Sequence, residues 1–325
     1  MGEYEGCYIA GDWGTSHLRL YLVEGERLIA RKSGPGLLAL TESIPDTLSR
    51  LTEDWRQSCG HVPVLLSGMA GSNIGWQEAP YLPCPLLPAS LADAAVRLVK
   101  DGQAIHLLPG VRCTSPFGLE DFMRGEETQI AGLLADHPEM TAGQRLLCLP
   151  GTHNKWVLIE DGRLRTFFSS LTGELYALLR RQSILLRDTV RDAPFHPEAF
   201  ALGLERSRPD ARGGGLLQKL FETRARRIVG ELDGERAQSF LSGLLIGDDL
   251  HGARAAFGDL WPRAMPVAVI AAPELGKAYQ VALGSLGMDS EIFDGDRMSL
   301  RGLMAASGSL AMEDRGTHVA VSADR

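Results

Sequence analysis

The sequence predicts an α/β protein made of two related domains. Three observations support this prediction: the length of the chain, a repeated strand–loop–strand unit, and an alternation of strand and helix patterns. The chain has 325 residues, of which 44% are hydrophobic and 23% charged, the ordinary balance of a folded globular protein. At roughly 150 residues per domain, this length corresponds to about two domains, each with room for a hydrophobic core.

The first copy of the repeated unit lies near the N-terminus. Residues 7–10 have a short apolar strand pattern, the polar loop Gly-Asp-Trp-Gly-Thr-Ser occupies residues 11–16, and residues 17–23 alternate with leucines on one face. The following Glu24-Gly25 is typical of a turn that closes a hairpin. This segment therefore predicts two strands joined by a glycine-rich loop, with a third strand after the turn.

The second copy has the same order of elements. A strand pattern at 146–149 is followed by the loop Pro-Gly-Thr-His-Asn-Lys at 150–155, a strand at 156–159 and the turn Asp161-Gly162. Gly14 and Gly151 are 137 positions apart, and each is followed 11 positions later by the glycine of its turn. Coincidence is the alternative explanation, because Gly-Thr pairs and hairpins are common, but the recurrence of five elements in order favours a duplication.

The remaining elements follow from hydrophobic periodicity and from glycine and proline breaks. We expect strands at 62–66, 105–108, 267–271 and 291–293, and a loop at 67–73. We expect helices at 121–135, 173–187, 198–206, 216–230, 235–250, 274–286 and 297–308. The residues from 313 onward are polar and are expected to fray.

Charge and cysteine content exclude several classes of protein. The net charge of −8 gives no overall attraction to nucleic acid or to an anionic membrane, so neither partner is expected. The five cysteines are odd in number and never form a C-x-x-C pair, which is typical of a reducing compartment. Without a leader pattern or an apolar run of roughly 20 residues, we expect a cytoplasmic protein.

The first Gly-Thr loop has the residue types of a phosphate site. Glycines let backbone N–H groups approach an anion, and the hydroxyls of Thr15 and Ser16 add donors. Asp12 would repel a phosphate unless a cation intervened, so we expect it to meet Mg²⁺ through water. The alternative is that Asp12 only hydrogen-bonds its own turn; the second Gly-Thr loop favours the metal role.

The two Gly-Thr loops resemble those of a known superfamily. Asp12-Trp13-Gly14-Thr15-Ser16 and Gly151-Thr152-His153-Asn154-Lys155 resemble the two phosphate loops of sugar kinases, acetate kinase, actin and the heat-shock-protein ATPases. A more specific resemblance is to the 2-dehydro-3-deoxygalactonokinase family. It is carried by DWGTSHLR at 12–19, SGMAGSNIGW at 67–76, MRGEETQIAGLL at 123–134, LPGTHNKWV at 149–157 and SLTGELYALL at 170–179.

The resemblance extends to about residue 308 and implies a fold and a reaction. The implied fold is two duplicated ribonuclease-H-like (actin-like ATPase) domains with a nucleotide cleft between them. We place the domains at 1–135 and 136–296, with 297–325 as a helix that packs back on the first domain plus a polar tail. The implied reaction transfers the ATP γ-phosphoryl group, with Mg²⁺, to the 6-hydroxyl of 2-dehydro-3-deoxy-D-galactonate in galactonate degradation.

Three acids compete for the role of the base that accepts the hydroxyl proton. Related sugar kinases place a catalytic aspartate directly after a glycine at a helix start, and the matching position after Gly125 is Glu126, a glutamate. Glu127 is the second candidate and Asp121 the third. The alternative is that acids in a first helical turn only stabilise the helix dipole.

The resemblance also implies contacts for ATP and for the sugar acid. The ATP phosphates are assigned to Gly14, Thr15, Ser16, Gly151, Thr152, His153 and Lys155. The sugar acid is assigned to Ser67, Met69, Ala70, Gly71, Asn73, Arg112, Arg124 and Glu174, the arginines being candidates for its carboxylate. The adenosine is assigned to Gly243, Ala272, Pro273 and Leu275, although many relatives have a glycine where this chain has Ala271 or Ala272.

Other functions remain open at the level of sequence. One alternative is a kinase for another sugar acid, such as 2-dehydro-3-deoxygluconate, or for a hexose. A second is an actin-like ATPase switch, although 325 residues leave little chain for a separate client-binding domain. A homodimer is compatible with the sequence, which does not determine the oligomeric state.

Overall fold

The computed structural model describes residues 6–187, 189, 193–210, 214–258 and 266–316. The strands are β1 (Cys7–Trp13), β2 (His17–Glu24), β3 (Arg27–Pro35), β4 (Val64–Gly68), β5 (Tyr81–Pro83), β6 (Val96–Lys100), β7 (Gln103–Leu107), β8 (Gly110–Thr114), β9 (Glu120–Met123), β10 (Gln144–Leu149), β11 (Asn154–Glu160), β12 (Arg163–Ser170), β13 (Val267–Ala271) and β14 (Ser290–Asp294). The helices are α1 (Ile44–Leu51), α2 (Glu53–Cys59), α3 (Glu126–Asp136), α4 (Thr172–Gln182), α5 (Pro197–Ser207), α6 (Leu216–Ile228), α7 (Gly234–Phe257), α8 (Pro273–Ser285) and α9 (Gly295–Gly316).

Two large sheets share one topology. The first has the strand order β3-β2-β1-β4-β7-β6 and the second has β12-β11-β10-β13-β14. In each sheet the central strand, β1 or β10, is antiparallel to the strand that follows it in the chain and parallel to its other neighbour. The second sheet thus repeats the first five strands of the first sheet, which confirms the predicted duplication.

The hairpin turns match between the two copies. Gly25, Asp161 and Gly162 have φ angles of 58°, 48° and 73°, in the left-handed region that glycine adopts at little cost. In the first copy the turn consists of Gly25 and Glu26 rather than Glu24 and Gly25, because Glu24 still belongs to β2.

Each sheet is covered on both faces. The first sheet packs against α1 and α2 on one face and against α9 on the other. The second sheet packs against α5, α7 and α8 on one face and against α3, β8 and β9 on the other. Helix α3 therefore follows the first sheet in the chain but packs on the second, whereas α9 follows the second sheet and packs on the first. The domain boundaries placed at residues 135 and 296 stay a prediction.

Helices α3 and α9 cross at two glycines. A Cβ atom on Gly132 would lie 1.9 Å from the carbonyl oxygen of Met298, and one on Gly302 would lie 1.9 Å from that of Thr128. Gly132 is four positions after Thr128, whose carbonyl oxygen faces Gly302, and Gly302 is four positions after Met298, whose carbonyl oxygen faces Gly132. The two contacts therefore have the same form. This reciprocal contact brings the first turns of both helices to the region between the sheets.

The structure corrects two predicted elements. The helix expected over 121–135 begins only at Glu126, because Glu120–Met123 form β9 and Gly125, with a φ of 116°, separates strand from helix. The strand expected over 7–10 continues to Trp13, so Gly11 and Asp12 lie in β1 rather than in a loop.

Several elements were not predicted. Helices α1 and α2 have only 8 and 7 residues, although Ile44, Leu48 and Leu51 of α1 have helical spacing and Ser43 is its N-cap. The strands β5, β8 and β9 form a separate small sheet between the two large ones. In the described part of the chain, no helix is long and apolar enough to cross a membrane. The tail predicted from residue 313 is helical as far as Gly316, where α9 ends, and residues 317–325 lie outside the described residues.

Candidate active site

Asp12 lies near the end of β1, beside Ser67 of the parallel strand β4. The residue is 8% exposed, and an oxygen of its carboxylate lies 3.4 Å from Nη1 of Arg19. Burial raises the pKa of Asp12, while the charge of Arg19 and a hydrogen bond from Ser299 oppose that rise. Arg19 also contacts Asp296, at 2.7 Å, in the first turn of α9. The negative charge of Asp12 is therefore only partly compensated by the protein.

The first turn of α3 presents two glutamates with different environments. Glu127 is fully buried, and both of its carboxylate oxygens accept the backbone N–H of Gly125 at 2.8 Å. Burial and the nearby charge of Glu126 raise the pKa of Glu127 to about 7. The side chain of Glu126 is 26% exposed and lies 3.4 Å from Nζ of Lys155. Glu126 is thus the more accessible of the two.

The contact between Glu126 and Lys155 joins the two copies of the duplicated unit. Glu126 begins the helix that follows the first sheet, and Lys155 lies in β11 of the second sheet. Lys155 is 4% exposed, and its Nζ also donates to the carbonyl oxygen of His153 at 3.3 Å. Since Glu126 also influences the pKa of Asp12, three of the predicted site residues meet in one place.

The second Gly-Thr loop rests on the start of α4. Gly173 lies so close that a Cβ atom would be 2.1 Å from the carbonyl oxygen of Gly151. The N–H of Glu174 donates to the carbonyl oxygen of Thr152 at 2.9 Å, and its carboxylate lies 2.5 Å from Nε2 of His153. Glu174, predicted to contact the sugar acid, is therefore placed beside the predicted phosphate loop. Gly151, Thr152 and His153 are exposed and open to a ligand.

The first Gly-Thr loop is held by the chain after β3. The N–H of Gly14 donates to the carbonyl oxygen of His17 at 2.9 Å, and its own carbonyl accepts from Leu37 at 3.0 Å. Gly36 packs against Ser16 and His17, where a Cβ atom would lie 2.2 Å from backbone carbon. The exposed side chain of Ser16 faces outward from this fixed turn.

The two candidate arginines differ sharply. Arg124 is 9% exposed, donates to the carbonyl oxygen of Ala79 at 2.7 Å and to Oη of Tyr81 at 3.2 Å, and stacks over that ring at 4.1 Å. Its remaining nitrogen, Nη1, is buried without a hydrogen-bond partner and faces Gly71. Arg112 is exposed and lies 3.8 Å from Glu120. Only Arg124 combines burial with an unused donor.

The loop predicted at 67–73 has a mixed structure. Ser67 ends up within β4, and its hydroxyl points to the carbonyl oxygen of Gly11 at 3.5 Å. Residues 69–71 form a short 3-10 helix in which Met69 is half-buried and Ala70 and Gly71 are buried. Asn73 is exposed. Gly71, facing Arg124, and Asn73 are the members of this segment best placed to meet a ligand.

Other predicted residues have structural partners away from this centre. Asp121 accepts from the backbone N–H of Ser169 at 2.6 Å and from its hydroxyl at 2.7 Å, which ties β9 to β12. Gly243 lies in α7, where a Cβ atom would be 2.1 Å from the carbonyl oxygen of Phe200, so the structure gives it a role in helix packing. The roles assigned to both residues stay predictions.

The start of α8 carries the other residues assigned to adenosine. Ala272 is the N-cap and Pro273 the first residue of the helix, and both are exposed. Leu275 is half-buried against the core of the second sheet. Gly295, at the start of α9, lies close to Ala271.

Three residues near Asp12 were not predicted: Arg19, Asp296 and Ser299. A signal for Asp296 exists, because Gly295-Asp296 begins α9 in the way that Gly125-Glu126 begins α3. Among the described residues, no group of three or more His, Cys, Asp or Glu side chains is arranged to hold a metal ion.

Comparisons with known proteins agree with this architecture. A family model described as 2-keto-3-deoxy-galactonokinase matches residues 12–306. The 2-dehydro-3-deoxygalactonokinase of Escherichia coli (strain K12) is 34% identical over 306 residues, which covers 94% of this chain and 98% of that protein.

Solved structures give the same result at the level of fold. A crystal structure of a Sinorhizobium meliloti protein assigned as a 2-dehydro-3-deoxygalactonokinase has 30% identity and a TM-score of 0.80, and the match covers 97% of this chain and 98% of that one. The activator of the 2-hydroxyisocaproyl-CoA dehydratase from Clostridium difficile, solved with bound ADPNP, has a TM-score of 0.51 at 11% identity. The match covers 98% of this chain and 100% of that one, and at this identity it supports the fold alone. With a family model spanning most of its length and a full-length relative above 30% identity, the chain belongs to the 2-keto-3-deoxy-galactonokinase family.

Proposed function

We propose that the protein transfers the γ-phosphoryl group of ATP to the 6-hydroxyl of 2-dehydro-3-deoxy-D-galactonate, a step in galactonate degradation. One observation carries the proposal beyond family membership: Glu126 and Lys155, from different copies of the duplicated unit, meet 3.4 Å apart beside Asp12. Phosphoryl transfer needs a carboxylate for the hydroxyl proton and cationic or N–H groups for the phosphates. These groups converge between the two sheets.

The proposed reaction is an in-line displacement at phosphorus. The 6-hydroxyl oxygen forms a bond to the γ-phosphorus while the bond from that phosphorus to the β–γ bridging oxygen breaks, and ADP leaves. The hydroxyl proton passes to the carboxylate of Glu126. Glu127 is less suited to this role because its side chain is fully buried, whereas that of Glu126 is 26% exposed.

The phosphates of ATP would lie between the two Gly-Thr loops. The hydroxyls of the half-buried Thr15 and the exposed Ser16, together with the exposed residues 151–153, supply donors without adding to the side-chain charge, whereas the N–H of Gly14 is held by His17. Lys155 is within reach of the same space through its contact with Glu126. Closure of the two halves would exclude water that would otherwise hydrolyse ATP.

Asp12 fits a water-mediated Mg²⁺ ion. Its carboxylate is buried, and the loss of solvation raises its pKa, although the charge of Arg19 opposes that rise. A divalent cation would stabilise the ionised form, and when bound it would neutralise charge on the transferred phosphoryl group. Asp12 would hold and orient that ion.

Arg124 is the proposed partner of the substrate carboxylate. Its guanidinium is fixed by Ala79 and Tyr81, and Nη1 is a buried donor that lacks a protein acceptor. A buried unpaired donor on a charged group is costly, so an anionic ligand at Gly71 and Asn73 would complete its hydrogen bonding. This feature favours a sugar acid over a neutral hexose.

A coupled ADP-release assay tests the proposed function. The purified protein is given ATP, Mg²⁺ and, in turn, 2-dehydro-3-deoxygalactonate, its gluco epimer and glucose. We expect ADP release to be stimulated most strongly by the galacto acid and not by glucose. Turnover on glucose alone would contradict the sugar-acid assignment, and ATP turnover that no sugar stimulates would instead indicate an ATPase switch.

A further inference from the structure

Asp249 is a buried carboxylate that the proposed reaction does not use. It lies in the middle of α7 and is 6% exposed. One oxygen, Oδ2, accepts three hydrogen bonds: from Nδ2 of Asn154 at 2.5 Å, from Nε1 of Trp156 at 3.1 Å and from Oη of Tyr279 at 2.9 Å. The other oxygen, Oδ1, is buried and has no hydrogen-bond partner among the described residues, so the three donors on Oδ2 carry the stabilisation of this buried charge.

The donors connect Asp249 to the second Gly-Thr loop. Asn154 is the first residue of β11 and directly follows His153, the last residue of the exposed loop segment. Its side chain is fully buried, whereas its neighbours His153 and Lys155 contact Glu174 and Glu126. A shift of Asn154 would therefore move both neighbours and the N–H groups of the loop.

The same carboxylate also holds α8. Tyr279 lies in that helix, whose first residues, Ala272 and Pro273, are assigned to the adenosine side of the site. Asp249 thus links two segments that the proposed nucleotide would touch at different points. The link runs through side chains that are all buried.

We propose that Asp249 is a positioning residue that holds the second Gly-Thr loop in the geometry needed to bind ATP. The inference rests on the proposed function, because it assumes that this loop contacts the phosphates. Asp249 would act through Asn154 and would itself touch no reacting atom.

The test compares Asp249→Asn with Asp248→Asn. An asparagine at 249 can place its one acceptor oxygen where Oδ2 lies, but it carries no negative charge, so all three hydrogen bonds become weaker. Asp248 is its half-buried neighbour on α7 and faces His251 and Lys219 instead, which makes it a matched control. We expect Asp249→Asn to lower kcat/KM for ATP by about 10- to 100-fold, with KM for the sugar acid and the kinetics of Asp248→Asn within about twofold of wild type.

A second pair of variants changes Asn154, the loop partner of Asp249. Asn154→Ala removes the donor and is expected to reproduce the ATP defect of Asp249→Asn. Asn154→Asp combined with Asp249→Asn exchanges donor and acceptor and is expected to recover part of the lost ATP affinity. These variants keep the test decisive if one substitution at 249 fails to fold.

Binding of a fluorescent ATP analogue, measured alongside thermal unfolding, separates positioning from stability. The proposal is overturned if Asp249→Asn lowers only the unfolding temperature and binds the analogue as wild type does, or if Asp248→Asn has an equal effect. The proposed function fails separately, if the wild-type protein binds the analogue but phosphorylates no sugar acid.

Discussion

Two nitrogen atoms of the Arg124 guanidinium are held by protein groups, and we propose that the third binds the substrate carboxylate. Ala79 and Tyr81 hold Nη2 and Nε, and Nη1 is buried and unpaired. The shorter, single ammonium of lysine cannot reproduce these contacts and still present a donor toward Gly71. The difference between arginine and lysine at this position therefore tests recognition of the substrate carboxylate.

We predict that Arg124→Lys lowers kcat/KM for the sugar acid by roughly 10- to 100-fold, the range expected when a charge-assisted hydrogen bond is lost. KM for ATP should change by less than about twofold, because Arg124 contacts no ATP-assigned residue. Arg112→Lys, at an exposed residue paired with Glu120, is the control and should behave like wild type. Steady-state kinetics with each substrate varied in turn gives both quantities; equal effects of the two substitutions would contradict the role of Arg124.

Glu127 has a pKa that makes the stability of the protein depend on pH. Burial and the charge of Glu126 raise this pKa to about 7 from its ordinary value of 4.5. Below pH 4.5 the carboxyl is protonated in both the folded and the unfolded chain. Between pH 4.5 and 7 the unfolded chain ionises first, so folding becomes less favourable as the pH rises.

We predict that wild type loses roughly 2 to 3 kcal/mol more unfolding free energy between pH 5 and pH 8 than Glu127→Gln does, since the shift acts over nearly two pH units of this range and each unit corresponds to about 1.4 kcal/mol. A glutamine at 127 still accepts the N–H of Gly125 but carries no charge. Glu53→Gln, at an exposed residue of α2, should keep the wild-type slope. Urea unfolding at the two pH values measures the difference, and parallel slopes for wild type and Glu127→Gln would contradict it.

At the scale of elements, the crossing of α3 and α9 sets the position of the site. Gly132 and Gly302 allow the two helix backbones to touch, and the first turns of these helices carry Glu126 and Asp296. Because a Cβ atom on either glycine would meet backbone rather than a flexible side chain, the helices would have to separate.

We predict that Gly132→Ala lowers the unfolding free energy by roughly 1 to 3 kcal/mol, the usual cost of overpacking. Gly308→Ala is the matched control in α9, since no atom lies within 4 Å of its added Cβ. That substitution should stabilise the helix by up to about 1 kcal/mol. The urea midpoints of the two variants check the prediction, and a Gly132→Ala variant as stable as Gly308→Ala would show that the crossing tolerates separation.

The regular elements with strong periodicity could be predicted from the sequence, and the short or inserted ones could not. The strands around both Gly-Thr loops carry alternating leucines or continuous apolar runs, which local patterns reveal. Strand β9 was predicted as helix because its few residues run directly into the amphipathic pattern of α3, and only the backbone angle of Gly125 separates them. Such a break depends on packing between the sheets rather than on local propensity.

The candidate site shows the same division. Asp12, Glu126 and Lys155 were selected from motifs, and the structure brings them together. Arg19 ends the DWGTSHLR motif but was assigned no role there, and Asp296 lies in none of the quoted motifs; the fold brings Arg19 against both Asp12 and Asp296. Asp249 lies 95 positions from its partner Asn154 in the sequence, and nothing in the local pattern of α7 marks it.

At the scale of the whole molecule, the duplicated architecture places a carboxylate from one copy against a lysine from the other. Glu126 follows the first sheet and Lys155 lies in the second, so the site exists only where both copies meet. The central claim is that the carboxylate of Glu126 takes the proton of the substrate hydroxyl during phosphoryl transfer. An isosteric amide at this position keeps the shape of the side chain and removes the base.

The most direct test is the kcat of Glu126→Gln with saturating ATP and 2-dehydro-3-deoxygalactonate, compared with that of Glu127→Gln. We predict a loss of about 10²- to 10⁴-fold for Glu126→Gln, the usual contribution of a positioned base, with ATP-analogue binding retained and a much smaller loss for Glu127→Gln. A Glu126→Gln variant that keeps more than about half of the wild-type kcat, or a Glu127→Gln variant that loses as much, would contradict the assignment.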